Sequence, residues 1–195
     1  LIVAVGLAAM ATGCSNGDTS YSLLSSGQSF KQATVNTKVD ILWVVDNSGS
    51  MKPLQDNMTA NFNSFISQFV TKGYDFHLSV VGTDAYKAEA GFQNNPVLAK
   101  FRDGAGSSHS GIFTILPGTP DLLNTFVINA SLGMTSSGDE RAFSSFKSAM
   151  VSPLNSGFLR SDSFLGVIIL SDEDDFSNPT RPENSFAGGD HNYAP

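Results

Sequence analysis

Oxygen-bearing side chains cluster where a run of apolar residues ends, in the first third of the chain. Residues 39–51 read VDILWVVDNSGSM, which places Asp46, Ser48 and Ser50 at alternate positions directly after the run. Gly49 lets the backbone turn sharply between the two serines. A carboxylate and two hydroxyls are hard oxygen donors, so this spacing predicts a site for Mg²⁺, or for Mn²⁺ or Ca²⁺. In the alternative interpretation, Asp46 or Ser50 simply caps a helix.

The elements around these residues predict where they lie. The five apolar residues at 41–45 predict a strand that is buried on both faces. Asp46 then lies at the carboxyl end of a central strand, where open α/β sheets place their ligand sites. Apolar residues recur at steps of three and four over residues 51–72, which predicts an amphipathic helix. Residues 76–83 predict a second strand.

Two later loops place oxygen donors before a helix or after a strand. Thr135, Ser136 and Ser137 precede a predicted helix whose apolar face includes Phe143. Residues 165–170, LGVIIL, predict another fully buried strand, and the acidic run at 172–175 follows it. In the alternative interpretation of the second loop, Ser137 or Asp139 caps the following helix. Like charges this close repel one another unless a cation or solvent screens them.

The DxSxS pattern after an apolar strand resembles the metal-ion-dependent adhesion site of von Willebrand factor A domains. Asp46, Ser48 and Ser50 match that motif residue for residue. The resemblance implies two further ligands, a hydroxyl of the second loop and Asp172 of the third. It also implies that the hydroxyls bind the ion directly and that one or both carboxylates bind through water.

The second-loop ligand is assigned to Ser137 because of its distance to the following helix, although Thr135 and Ser136 also carry hydroxyls. For Glu173, Asp174 and Asp175, solvent exposure and an accessory Ca²⁺ site remain alternatives.

The resemblance further implies the fold of residues 38–195. We expect a doubly wound, Rossmann-like α/β domain with a mostly parallel open sheet and a short antiparallel edge strand at residues 111–116. Residues 89–110 are predicted as an inserted hairpin. We also expect the domain to be incomplete at its carboxyl end, truncated after the fourth strand, which would leave that strand as an unpaired edge.

The first residues of the sequence predict that the protein is located in the bacterial cell envelope. Residues 1–13 are apolar and uncharged, which is typical of part of a secretory signal peptide. Residues 11–14, ATGC, resemble a bacterial lipobox, so we expect cleavage there and a lipid on Cys14 that anchors the protein to an outer membrane or cell surface. Residues 14–37 then form a flexible tether. The alternative is a plain cleaved signal with an incidental cysteine.

Composition excludes several function classes. The net charge of −7 argues against binding nucleic acid through its phosphates. A single cysteine permits no internal disulfide, and the three histidines are far apart, which leaves little basis for zinc or a Ser-His-Asp triad.

These features predict a non-enzymatic, metal-dependent protein-binding module for adhesion or assembly. The ion's open position would take an acidic side chain from a partner protein. One alternative is a metal-free surface scaffold. The other is a Mg²⁺-dependent phosphatase of the haloacid-dehalogenase type, in which Asp46 would be the nucleophile. Against it, Ser48 stands where that family has a second aspartate, and no general acid is evident.

Overall fold

A computed structural model describes residues 37–134 and 138–177 of the chain. The predictions for the signal segment, for Cys14 and for the tether up to residue 36 lie outside the described residues. Thr135, Ser136 and Ser137 of the second loop also lie outside them. The described part is an α/β structure with a mostly parallel open sheet and a short antiparallel pair.

The sheet has three strands in the order β2-β1-β5. β1 spans Lys38–Val45, β2 spans Asp75–Gly82 and β5 spans Phe164–Leu170. β1 is parallel to both neighbours, so all three carboxyl ends meet at one edge. The ladder continues past β1, because the Asp46 amide donates to the Leu170 carbonyl at 2.9 Å. The predicted central position of β1 is therefore confirmed.

Helices pack on both faces of this sheet. A 3₁₀ turn at Gly49–Met51 leads into α1, Lys52–Thr71; α2 is Leu122–Ala130 and α3 is Ala142–Val151. α1 and α2 cover the face that carries Trp43, and Phe62 stacks on Phe126 with 3.4 Å between ring centroids. α3 covers the face that carries Leu42 and Val44.

The connection between β2 and α2 differs from its prediction. It contains two 3₁₀ turns, Ala85–Ala88 and Pro96–Ala99, and a two-stranded antiparallel hairpin of β3, Gly104–Ala105, and β4, Ser108–His109. The predicted edge strand at residues 111–116 is wrong in extent. Only Ile115 pairs there, in an isolated antiparallel bridge to Leu78. The Val80 carbonyl, the next acceptor along that edge of β2, takes the Arg102 amide at 2.8 Å instead.

The predicted full burial of the last strand is also wrong. β5 has β1 on one side and no strand partner among the described residues on the other. Leu165, Val167 and Ile169 alternate along the strand, so they lie on one face of the sheet, and they stay 38–39% exposed. An apolar run indicates full burial only where other elements cover both faces of the strand.

The apolar face predicted for α3 needs one correction. Phe143 is 60% exposed, whereas two serines of the helix are buried. Ser145 takes the inner position because its hydroxyl donates to the Thr83 carbonyl at 2.6 Å and accepts the Tyr86 amide at 3.1 Å. A backbone hydrogen-bonding role thus outweighs hydrophobicity at this position. No helix within the described ranges has the length and apolar character that crossing a membrane requires.

Candidate metal centre

Asp46 forms the buried floor of the candidate site. It follows the last residue of β1 and is wholly buried. Its Oδ1 accepts the Ser48 amide at 2.7 Å, and its Oδ2 accepts the Ser171 hydroxyl at 2.7 Å. Gln55, in the first turn of α1, donates to the Asp46 backbone carbonyl at 2.7 Å. The carboxylate is therefore fixed by the loop after β1 and by the loop after β5, while α1 holds the backbone of the same residue.

The two serines of the motif lead from this floor to the surface. The Ser48 and Ser50 hydroxyl oxygens lie 3.2 Å apart, and the Ser50 hydroxyl donates to Asp172 Oδ1 at 3.2 Å. Ser48 is buried, while Ser50 and Asp172 are exposed. The capping interpretation of the motif is wrong, since no side-chain cap bond is made at the start of the 3₁₀ turn or of α1.

These oxygen spacings suit adjacent ligands of one cation. In an octahedral shell with bonds of about 2.1 Å, as for Mg²⁺, neighbouring ligands lie about 3.0 Å apart. With bonds of about 2.4 Å, as for Ca²⁺, the separation grows to about 3.4 Å. The observed 3.2 Å between Ser48 and Ser50, and between Ser50 and Asp172, lies between the two. Either ion fits with small shifts of the ligands.

The two wholly buried aspartates Asp40 of β1 and Asp46, which follows β1, differ in whether a basic side chain balances their charge. Asp40 lies at the opposite end of the strand, where Arg160 Nη2 is 2.8 Å from its Oδ1. No ion pair of the described residues involves Asp46 or Asp172. A buried carboxylate without a counter-charge is costly, and a cation at the site would supply that charge.

The pKa of Asp40 shows what such compensation does. Burial alone would raise the pKa of this carboxyl. Hydrogen bonds from the Ser163 hydroxyl, the Arg160 amide and the Arg160 side chain outweigh burial, and together with the guanidinium charge they hold the pKa below its usual value of 3.8. The amino end of the sheet is thus neutralised within the chain.

The third loop divides its acidic residues between two roles. Asp175 Oδ1 accepts the Phe143 amide at 3.1 Å, which satisfies a free backbone donor at the start of α3. Neither an exposed nor a Ca²⁺-binding role is then needed for Asp175. Asp172, Glu173 and Asp174 are exposed and border an open cleft of about 480 Å³ together with Ser171 and Phe176. A ligand could reach the site through this cleft.

The described flank of the second loop contains a buried polar cluster that the sequence did not suggest. Arg141 is wholly buried, pairs with Asp139 at 2.9 Å and lies over the ring of Tyr86. Glu140, 1% exposed, accepts the Thr83 hydroxyl at the end of β2. Asp139 therefore does not cap α3 as the alternative interpretation held; its Oδ2 accepts the Tyr86 hydroxyl at 3.2 Å, which anchors the loop to the turn after β2.

The structure brings together Asp46, Ser48, Ser50 and Asp172, while the predicted ligand Ser137 lies outside the described residues. Within the described ranges, no group of three or more His, Cys, Asp or Glu side chains could hold a metal ion. The oxygen donors at the site are thus two hydroxyls, of Ser48 and Ser50, and two carboxylates, of Asp46 and Asp172.

Ser171 and Gln55 are the residues that sequence reasoning missed. Gln55 lies at a core-facing position of α1, on the same face as Met51 and Phe62. A polar residue within the apolar spacing of the helix was the signal that could have identified it. Ser171 directly precedes Asp172, but nothing in the sequence showed that its hydroxyl reaches back to β1.

Comparisons of the chain with protein-family models, with curated proteins and with solved structures gave no significant match. The chemistry of this edge of the sheet therefore carries the functional conclusion.

Proposed function

We propose that this chain is a metal-dependent protein-binding module whose cation lies between Ser48, Ser50 and Asp172 above Asp46. The observation that carries the proposal is their convergence: two loops at the ends of neighbouring parallel strands place hydroxyl and carboxylate oxygens 3.2 Å apart over a buried, uncompensated carboxylate. The ion would be Mg²⁺, Mn²⁺ or Ca²⁺. Asp46 would act through water, since both of its oxygens already accept hydrogen bonds.

The proposed partner is a protein that offers an acidic side chain. Ser50 and Asp172 are exposed beside the open cleft, so an ion bound there would keep a position that faces solvent. A carboxylate could enter that position, and its attraction to the ion would supply the affinity. The proposal includes the fold and family implied by the DxSxS resemblance, a doubly wound von Willebrand factor A domain.

The place of action is part of the same proposal and rests on the sequence of the first 37 residues. A lipid on Cys14 would hold the module at a bacterial outer membrane or cell surface, and the tether would let it reach its partner. Palmitate labelling of the expressed full chain, with Cys14→Ser as the control, tests this part.

Binding is favoured over phosphoryl transfer by the surroundings of Asp46. A nucleophilic aspartate has to approach phosphorus, whereas Asp46 is wholly buried and donors occupy both of its oxygens. Release of phosphate from a phosphorylated amino acid or a generic ester, lost in Asp46→Asn, would support the enzyme instead.

Metal titration of the full chain tests the proposal directly. Trp43 is the only tryptophan and lies three residues before Asp46, so its fluorescence and calorimetry both serve as readouts. We expect saturable binding of Mn²⁺ or Mg²⁺ to one site, weakened about tenfold or more in Ser50→Ala. Ser67→Ala, which removes an exposed hydroxyl of α1, is the matched control and should bind like the wild type.

Two results would contradict the proposal. One is the absence of binding by the folded chain at millimolar metal, which would leave the metal-free scaffold. The other is equal affinity in Ser50→Ala and in the wild type.

A further inference from the structure

A groove on the sheet face that α3 covers is separate from the metal centre. It lies between the 3₁₀ turns at Ala85–Ala88 and Pro96–Ala99 and the last turn of α3, and its cavity volume is about 230 Å³. Its lining contains two alanines, two prolines and Val151, with Glu89, Ser148 and Ser152 as the polar members. We call it the α3 groove. Since α3 begins beside the third loop, its length places the groove about 15 Å from that loop.

Among the described residues that line the groove, Glu89 alone is ionisable. Its Oε1 accepts the hydroxyl of Ser148, a residue that is only 4% exposed, at 2.8 Å. Its Oε2 accepts no hydrogen bond from the described residues. Lys147 Nζ lies 3.7 Å from Oε1, but that side chain is 70% exposed and lies outside the lining. Such an exposed pair is weak and leaves the carboxylate available to a ligand.

Two features give the groove a negative potential. One is Glu89, and the other is the C-terminal end of α3 at Val151, where a helix carries partial negative charge. Apart from Ser148 and Ser152, the rest of the lining is apolar. A cation on an apolar stem matches this combination, because its stem can cover the alanines and prolines while its head reaches the carboxylate.

The rim of the groove is apolar and exposed. Val97 is 64% exposed, Val151 74% and Leu154 48%, and each lies in or next to a lining segment. Exposed apolar residues grouped in this way are typical of surfaces that contact another polypeptide. The net charge of −7 also favours the approach of a basic partner.

We propose that the α3 groove binds an arginine or lysine side chain of a partner protein, with apolar neighbours of that side chain packing on the rim. Arginine is the better match, since its planar head can make two parallel hydrogen bonds to Glu89. This inference does not depend on the metal site, so either proposal can fail alone.

Peptide titration of the full chain, followed by amide chemical shifts, tests the inference. The probe is a capped pentapeptide, Ala-Leu-Arg-Leu-Ala, and its control replaces arginine by citrulline, which has nearly the same shape and no charge. We expect the arginine peptide to shift the amides of Ala88, Ala99 and Val151 and to bind about tenfold more tightly than the citrulline peptide. Equal binding of the two peptides, or shifts confined to other surfaces, would overturn it.

Three substitutions test whether the charge of Glu89 is the one that binds the arginine peptide. Glu89→Gln keeps an acceptor for Ser148 but should reduce the affinity of the arginine peptide to that of the citrulline peptide. Lys147→Gln removes the competing ammonium and should increase affinity. Asp56→Asn removes an exposed charge of α1 that lies outside the groove lining and should change nothing. If Glu89→Gln and Asp56→Asn lower affinity equally, the effect is one of net charge and the groove is not the site.

Discussion

The Ser50 hydroxyl lies 3.2 Å from Asp172 Oδ1, although the two residues are 122 positions apart in the chain. Parallel pairing of β1 with β5 makes this contact possible, because it brings the loops after both strands to one edge. The contact predicts a specific loss of metal affinity. Asp172→Asn should weaken Mn²⁺ binding by about tenfold or more, measured by calorimetry.

Asp174→Asn is the matched control for that prediction. Asp174 is exposed on the same loop and borders the same cleft, but no hydrogen bond connects it to the serines among the described contacts. Its loss should cost much less affinity. Equal losses in the two variants would mean that the loop attracts cations only by its overall charge.

The buried Asp40 carboxylate predicts acid sensitivity. Its pKa is lowered below 3.8 in the folded chain by Ser163 and Arg160, so its stabilising contribution is complete above that pH and is lost as the pH falls through the lowered pKa. Asp40→Asn should reduce the free energy of unfolding by about 3 kcal/mol at neutral pH, because it leaves Arg160 without that partner. It should also flatten the dependence of stability on pH below 3.8.

Urea unfolding of Asp40→Asn between about pH 2.5 and about pH 7 measures both effects, because this range includes the pH at which an ordinary aspartate titrates. Asp162→Asn is the control, since Asp162 pairs with Lys38 at the exposed surface. An unchanged pH profile in Asp40→Asn would show that other groups control acid unfolding.

The different exposure of Phe62 and Phe143 predicts different losses of stability for the same substitution. Phe62 is 1% exposed and stacks on Phe126, so Phe62→Ala should destabilise the fold by about 3–5 kcal/mol. Phe143 is 60% exposed, so Phe143→Ala should change stability by less than about 0.5 kcal/mol. Denaturant unfolding of both variants provides the measurement. A large loss in Phe143→Ala would mean that this side chain is covered in the native protein.

His109 predicts a titration shift in the small hairpin. Its Nδ1 lies 3.0 Å from Asp103 Oδ1, and the pKa of the imidazole is raised above 6.5 by that hydrogen bond and by one to the Gly106 carbonyl. The stabilisation of the hairpin is therefore present below pH 6.5 and is lost as the pH rises through the raised pKa. Proton NMR of the ring should show this raised value in the wild type and a return towards 6.5 in Asp103→Asn.

Much of the fold could be predicted because its signals are local. The apolar run of β1, the three-and-four spacing of α1 and the turn at Gly49 each depend on residues close in sequence. The exposure of β5 could not be predicted, since it depends on which elements pack on the two faces of the strand. Phe143 was placed wrongly because hydrophobicity alone does not show that Ser145 would be needed for backbone hydrogen bonds.

At the site, too, features with a local sequence pattern could be predicted, whereas contacts between distant segments could not. The motif residues were visible because their spacing is regular, and Asp172 because it ends a strand. The Ser171 contact to Asp46 and the Asp175 contact to α3 join segments more than thirty positions apart, which no local pattern reports. Arg141 was missed because its partners, Asp139 and the ring of Tyr86, become buried only when the loop folds onto β2.

The pairing of β1 with β5 also has a consequence for the order of events during synthesis. Asp46, Ser48 and Ser50 leave the ribosome long before Asp172 exists, so an emerging polypeptide lacks one of the proposed ligands. Pairing partners this distant along a chain form slowly. A nascent chain arrested before residue 164 should therefore not bind the ion, and metal binding should begin only when β5 pairs with β1.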